Sequence, residues 1–134
     1  MALNMNLPPI AVTTVDFDRL RLLSETSTHA AQFLAREIER ARLIEPEAAG
    51  GELVTMGSRV RYRDDVTGQE RTVTLVYPDR ADIEAGRLSV LTPIGVALIG
   101  LSIGQSIEWE APSGGVRSLT VVGVAGDRWN ARGE

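Results

Sequence analysis

The chain has 134 residues, of which 43% are hydrophobic and 24% charged, so its length excludes a multidomain machine and its composition argues against a fibrous repeat or wholesale disorder. It contains no cysteine, which excludes disulfides, thiolate metal sites and thiol catalysis. All fourteen basic residues are Arg and the formal net charge is −4, so we expect a protein partner rather than direct, sequence-specific contact with nucleic acid.

Two successive helices are predicted within residues 16–43. Apolar residues recur there at spacings of three and four, which places them on single helical faces. The break falls at residues 24–28, where Ser27 or Thr28 is expected to cap the second helix. The pattern predicts an antiparallel helical hairpin, a truncated coiled coil. Its helices, roughly 10 and 16 residues long, are marginal in isolation and must dock on another part of the chain, on a second copy or on a partner.

Polar side chains at the helix ends and on the helix surface have simple structural roles in this interpretation. Thr13 followed by Asp16 resembles a capping box for the first helix. Glu37 with Arg40 and Glu39 with Arg42 are pairs three residues apart, which we expect on a solvated face.

The helical half ends at residues 45–51, because Pro46 disfavours helix in the residue before it and two glycines follow. We therefore predict two units: residues 1–50 with the hairpin, and residues 51–134 with a sheet. A loose tail is expected from about residue 126.

After residue 51 the apolar period changes to two, which indicates β-strands. Thr92 and Pro93 carry the signature of a helix start and introduce one short buried helix that closes at Gly100. The predicted fold class is α+β, with a mostly antiparallel sheet in the second half. The predicted strands lie around Val54 and Met56, around Val60 and Tyr62, and at residues 72–77, 88–90, 106–110 and 117–124.

No motif for catalysis, a cofactor or a metal is present. His29 is the single histidine, and we expect it to lie exposed at the start of a helix because no second nitrogen or sulfur ligand accompanies it. Two acidic pairs have the carboxylates that Mg²⁺ prefers, but as turn residues they need no metal. These pairs are Asp64 with Asp65 and Asp79 with Asp82.

Residues 88–100, with the sequence LSVLTPIGVALIG, resemble the carboxy-terminal domain of the bacterial Gre transcript-cleavage factors, the GreA/GreB superfamily. The likeness continues through residues 104–109 and the turn at 112–115. Within the superfamily the chain is most similar to the Rnk subfamily, the regulators of nucleoside diphosphate kinase. That likeness is carried by residues 54–63 and 74–78 and by the opening at 7–10.

The resemblance implies an FKBP-like domain that docks at the rim of the secondary channel of bacterial RNA polymerase, with the hairpin pointing into the channel. It assigns the contact to Leu91, Thr92 and Pro93, followed by Ile94, which we expect at an exposed corner of the sheet domain. Leu91 stands where Gre factors have an acidic or amide residue, so an apolar contact replaces a hydrogen bond there.

The hairpin departs from the Gre pattern in length and at its tip. The longer predicted helix reaches only about 24 Å. The tip, formed by Glu25, Thr26 and Ser27, lacks the carboxylate pair that helps Gre factors to place Mg²⁺. We therefore predict a non-catalytic regulator that competes with cleavage factors. An FKBP-like prolyl isomerase and an active cleavage factor are the alternatives.

The absence of membrane-spanning and signal-peptide patterns indicates where in the cell we expect the protein. No apolar run approaches the roughly 20 residues that span a bilayer, and residues 1–10 do not resemble a signal peptide. We expect a cytoplasmic protein that makes no membrane contact, needs no cofactor and is a monomer or a weak homodimer.

Overall fold

The computed structural model describes residues 7–125, so the predicted loose tail lies outside the described residues. Within them three α-helices and seven strands form a mixed α+β fold. No helix in this part of the chain is long and apolar enough to cross a membrane. The elements are β1 (Ala11–Thr13), α1 (Thr14–Leu23), α2 (His29–Arg40), β2 (Arg42–Ile44), β3 (Arg59–Asp64), β4 (Glu70–Val76), β5 (Arg87–Ser89), α3 (Pro93–Leu98), β6 (Ser106–Glu110) and β7 (Val116–Ala125).

A five-stranded sheet forms the second half, in the order β5-β4-β3-β7-β6. All neighbours are antiparallel except β4 and β5, which are parallel. The period-two pattern is clearest in β3, where Val60 and Tyr62 are buried and Arg61 is exposed. The turn predicted at residues 112–115 joins β6 to β7, with the Ala111 amide donating to the Gly115 carbonyl at 2.9 Å.

The predicted caps are confirmed at both helices of the first half. Thr13 accepts the Asp16 amide at 3.1 Å and begins α1. Of the two candidates for the second helix, Thr28 is the cap, because its hydroxyl accepts the Ala31 amide at 3.0 Å.

The second helix is shorter than predicted. It has 12 residues, because Ala41 adopts an extended conformation and β2 follows at once. Strand β2 pairs in parallel with β1, and neither strand was predicted. Arg42 therefore lies in a strand, and its predicted helical pairing with Glu39 is wrong. The partner that holds this segment extended lies about 30 residues earlier in the chain, so local periodicity does not reveal it.

Glu37 is buried, with 3% of its surface exposed, so its prediction as a solvated residue is wrong. The predicted pairing itself is confirmed, since Arg40 donates to both carboxylate oxygens at 2.8 and 3.1 Å. Arg40 also donates to the Pro8 carbonyl at 2.5 Å. The pair thus lies against the N-terminal segment. The two charges compensate each other, and a further N–H of the Arg40 guanidinium donates to the Pro8 carbonyl.

No strand forms at Val54 and Met56, so that prediction is also wrong. A turn follows immediately, in which the Thr55 amide donates to the Ser58 hydroxyl at 2.9 Å. Val54 instead exchanges backbone hydrogen bonds with residues at the end of α3, and the only ladder contact nearby within the described residues is an isolated bridge between Leu53 and Ser102.

Both halves of the chain contribute to one hydrophobic core. Leu20 from α1 and Leu34 from α2 are fully buried in the same cluster as Val96 and Leu119 of the second half. Of the three docking places that were open, the helices thus use the sheet domain. The division near residue 50, the antiparallel geometry of the hairpin and the likeness to FKBP stay predictions.

Candidate functional site

The corner between β5 and α3 is held by a compact set of hydrogen bonds. Thr92 caps α3, as predicted, and its hydroxyl accepts the Gly95 amide at 3.0 Å and donates to the Ser89 carbonyl at 2.8 Å. The Leu91 amide donates to the Ser89 hydroxyl at 3.0 Å. Pro93 occupies the first helical turn, where its missing N–H costs nothing. These hydrogen bonds and the proline ring leave the backbone of the corner few conformations, so the corner is rigid before a partner binds.

Gly95 allows α3 to begin directly against the end of β5. A Cβ at this position would meet the Ser89 carbonyl oxygen and would lie 2.8 Å from the Val90 Cα, which is a backbone clash. Because backbone does not move aside as a side-chain end does, any larger residue displaces the helix start.

The four residues assigned to the partner contact lie together at this corner, but each is half-buried rather than exposed. Leu91 and Ile94 pack against the hydrophobic core, and Thr92 and Pro93 show part of their surface. The expected geometry of an exposed corner is therefore corrected. The reason is the closeness of α3 to β5, which turns part of each side chain inward.

A groove of about 280 Å³ lies beside the corner, between α3 and the turn that joins β6 to β7. Pro93 and Ile94 line one side, and Trp109, Pro112 and Arg117 line the other. The Trp109 side chain is buried, and its indole Nε1 has no hydrogen-bond partner. Sequence reasoning missed the groove, although Trp109 ends one of the segments that carry the family resemblance.

Arg117 stands directly opposite Trp109 in the β6–β7 register, so the two side chains share one face of the sheet. Its Nη2 donates to Asp64 Oδ2 at 2.9 Å. Burial opposes the charge of Asp64, but hydrogen bonds from the backbone of Val66 and Thr67 and from Arg117 outweigh it, so the pKa of Asp64 lies below its usual value. Asp64 is thus charged, and hydrogen bonds from Val66 and Thr67 hold it in place where it pairs with the Arg117 guanidinium.

The predicted hairpin tip does not join this groove. Glu25, Thr26 and Ser27 are exposed, and Glu25 pairs with Arg21 at 3.3 Å. His29 is exposed at the first position of α2, as predicted. Across residues 7–125 no group of three or more His, Asp or Glu side chains is placed to hold a metal ion.

The acidic turn residues have the structural roles that the sequence indicates. Asp65 accepts the hydroxyls of Ser118 at 2.8 Å and Thr120 at 2.9 Å. Although burial opposes its charge, these bonds and Arg63 hold the pKa of Asp65 below its usual value. Asp82 accepts the Ala85 amide at 3.3 Å and caps a short turn of 3₁₀ helix.

A second polar cluster connects α1 to the sheet domain. Asp16 Oδ2 accepts the Met56 amide at 3.0 Å, and the Arg19 guanidinium lies 3.9 Å from the centre of the Tyr77 ring. Burial raises the pKa of Asp16. Burial, with the nearby charge of Asp16, raises the pKa of Tyr77 to about 12, and the Tyr77 hydroxyl is buried without a hydrogen-bond partner. Sequence reasoning recognised Asp16 only as part of a helix cap.

Comparison with known proteins gives concordant matches. Residues 49–125 match the family model described as "Transcription elongation factor, GreA/GreB, C-term". The chain is 38% identical over 122 residues to the "Regulator of nucleoside diphosphate kinase" of Escherichia coli, covering 88% of this chain and 90% of that protein. It is also 38% identical over 87 residues to the "Transcription elongation factor GreA" of Sinorhizobium medicae, covering 65% of this chain and 54% of that protein.

A solved structure extends the likeness to the fold. It is described as "Prokaryotic transcription elongation factor GreA/GreB from Nitrosomonas europaea", and it aligns with a TM-score of 0.69 and 38% identity over 89% of this chain and 99% of that one. The corner and the groove both lie inside the stretch that the family model matches. The chain therefore belongs to the GreA/GreB family of transcription elongation factors.

Proposed function

We propose that this protein regulates transcription by binding bacterial RNA polymerase at the rim of its secondary channel, in competition with Gre cleavage factors and without stimulating transcript cleavage. The observation that carries the proposal is the similarity to the E. coli regulator of nucleoside diphosphate kinase, which extends over 88% of this chain. The place of docking comes from the resemblance to the Gre factors at residues 88–100.

The corner of α3 has the properties of a docking anchor. Leu91 and Pro93 combine partial exposure with fixed positions, and Thr92 is held by hydrogen bonds on both sides. A preorganised surface loses little conformational entropy on association, so more of its contact energy appears as affinity.

The predicted hairpin tip supports a role without catalysis. Glu25 is a single carboxylate and already pairs with Arg21. The resemblance to the Gre factors implies a carboxylate pair at the tip, and Glu25 alone does not provide it. A single glutamate just beyond the end of a short helix is therefore a poor carrier of Mg²⁺ into another enzyme's active site. This argument favours a competitor over an active cleavage factor.

Pro93→Glu tests the docking surface. A buried charge at the centre of an interface is unfavourable, so we expect affinity for core RNA polymerase to fall by about tenfold or more. The fold should persist, because a carboxylate at a helix N-terminus is favourable. Pro46→Glu is the matched control, since Pro46 is also the first residue of a short helix and is exposed. Both melting temperature and polymerase affinity should be measured for each variant.

Wild-type affinity in Pro93→Glu would overturn the docking surface. Competition then tests the regulatory role: increasing amounts of this protein should displace a labelled Gre factor from polymerase and reduce cleavage in backtracked complexes. Cleavage that rises with this protein alone would instead identify an active cleavage factor. A prolyl isomerase assay should give the uncatalysed rate, because Trp109 is the one aromatic residue that lines the groove within the described residues.

A further inference from the structure

We propose that the groove beside the corner is the specificity pocket of the docking surface: it accepts one apolar side chain of the polymerase together with a hydrogen-bond acceptor for the Trp109 indole. The inference rests on the proposed function and adds to it a binding element that the corner residues alone do not provide. Three observations carry it, namely the unpartnered indole, the position of Arg117, and the absence of acidic side chains among the groove lining.

The Trp109 indole is the first observation. Its Nε1 is buried and has no hydrogen-bond partner, and an indole nitrogen is a donor only. Burying such a donor without an acceptor destabilises the free protein. The ring stacks on Phe33 with centroids 6.4 Å apart, and Trp109 belongs to the buried core cluster. A partner that brings an oxygen to this nitrogen would satisfy a group that the free protein leaves unsatisfied.

Arg117 is the second observation, because it lines the groove next to Trp109. Its side chain lies beside Trp109 on the same face of the sheet and is 46% exposed. The contact that restrains it is an ion pair with Asp64 near the surface, and such pairs contribute little stability. In the proposed complex Arg117 moves aside at small cost, the partner reaches the indole edge, and the guanidinium binds an incoming carboxylate.

The remaining lining defines the chemistry of the occupant. Ile94, Pro93 and Pro112 are apolar, and the Thr92 hydroxyl already has both a donor and an acceptor. No Asp or Glu is present among the described lining residues. The Trp109 indole and the Arg117 guanidinium can only donate, and the exposed Ser113 hydroxyl can donate as well, so an occupant that supplies acceptors fits the lining. The volume of about 280 Å³ suits one side chain. The fitting partner is a polymerase segment with an apolar residue next to a carbonyl oxygen and a carboxylate.

Trp109→Phe is the direct test, because it removes the donor and keeps an aromatic ring. We expect its affinity for core RNA polymerase to fall by about fivefold to tenfold. Tyr77→Phe is the matched control: it also removes one buried, unpartnered donor, but at the α1 contact and away from the groove. Tyr77→Phe should bind like the wild type. Circular dichroism and melting temperature establish that both variants are folded.

Arg117→Gln provides a second test that does not alter the packed ring. It should weaken polymerase binding and reduce the dependence of affinity on salt concentration, because one interfacial charge is lost. Arg61→Gln is its control, since Arg61 is an exposed arginine that pairs with Glu70 on the neighbouring strand.

A second copy of this chain is the other possible occupant of the groove. Light scattering measures self-association and so distinguishes this occupant from the polymerase.

Each outcome decides the proposal. Weaker binding in both groove variants, with unchanged controls, supports it. Wild-type affinity in Trp109→Phe and Arg117→Gln, with weakened Pro93→Glu, overturns the groove and leaves the docking corner intact. Wild-type affinity in Pro93→Glu as well overturns the proposed docking itself. Loss of self-association in the groove variants, without loss of polymerase binding, assigns the groove to a dimer contact and also overturns the inference.

Discussion

Individual side chains in this protein hold segments together that are far apart in the chain. Asp16 donates its backbone amide to the Thr13 cap, and its carboxylate accepts the Met56 amide, forty positions later. Arg19 from the same helix covers the Tyr77 ring. A carboxylate in this position is stabilised by hydrogen bonds but penalised by burial, and burial is the larger effect, so the pKa of Asp16 is raised.

Asp16→Asn should therefore stabilise the protein slightly at neutral pH. Because the folded state holds the pKa above its usual value near 4, ionisation of Asp16 costs stability as the pH rises from about 4 through the folded-state pKa. The amide oxygen of Asn still accepts the Met56 amide. Melting curves across pH should coincide for the two proteins below about pH 4 and separate in favour of the variant above it.

Asp16→Ala is the control for the hydrogen bond. It removes the acceptor as well as the charge, so we expect a loss of about 1 kcal/mol relative to Asp16→Asn at every pH. If Asp16→Asn were less stable than the wild type at pH 7, the interpretation of Asp16 as a half-buried carboxylate whose charge is penalised by burial would be wrong.

Among the elements, α2 depends for its stability on contacts at its two ends. The helix has 12 residues, a length at which an isolated helix is marginal in water. The Thr28 hydroxyl accepts the Ala31 amide at its start, and its last turn contains the pair of the buried Glu37 with the half-buried Arg40. The extended strand β2 follows directly, so α2 is fixed between a cap and a strand pairing rather than by its own helical propensity.

Thr28→Ala should lower the free energy of unfolding by about 1 kcal/mol, because the Ala31 amide loses its acceptor. The neighbouring Ser27 is exposed and is not the cap, so Ser27→Ala should change stability by less than about 0.5 kcal/mol. Urea denaturation measures both. Equal losses in the two variants would contradict the assignment of the cap to Thr28.

At the scale of the whole molecule, the helices and the sheet share one core. Phe33 of α2 packs on Trp109 of β6, and Leu20 and Leu34 are fully buried in the same cluster as the sheet residues. Fully burying one such side chain contributes about 1.5–3 kcal/mol. The helices are therefore a structural part of the surface that carries the groove, since the ring that lines it rests on one of them.

A fragment of residues 49–134 tests whether the sheet half of the chain depends on the helices for its stability. Without the helices, Trp109 and Val96 lose part of their apolar cover, and we expect the fragment to melt at least about 10 °C below the full chain. Dye binding to exposed apolar surface should rise at the same time. A fragment as stable as the full chain would show that the sheet unit predicted from the sequence, residues 51–134, folds independently of the helices.

The sequence by itself determined the features that depend on neighbours in the chain. Thr92 and Pro93 predict the start of α3 because a cap and a fixed proline φ act within one helical turn. Asp64 and Asp65 identify a turn for the same reason, and alternation in β3 reveals which side chains are buried. The family was also recognisable, because its motifs are contiguous segments that keep their order.

Only the tertiary structure decided the contacts between distant segments. The pairing of β1 with β2 shortened α2. Glu37, expected on a solvated face, is buried beside Arg40, which binds the Pro8 carbonyl. The groove forms where α3 meets the turn between β6 and β7. These features depend on which surfaces pack together, and the free energy of packing is a property of the assembled core that no local window of sequence contains.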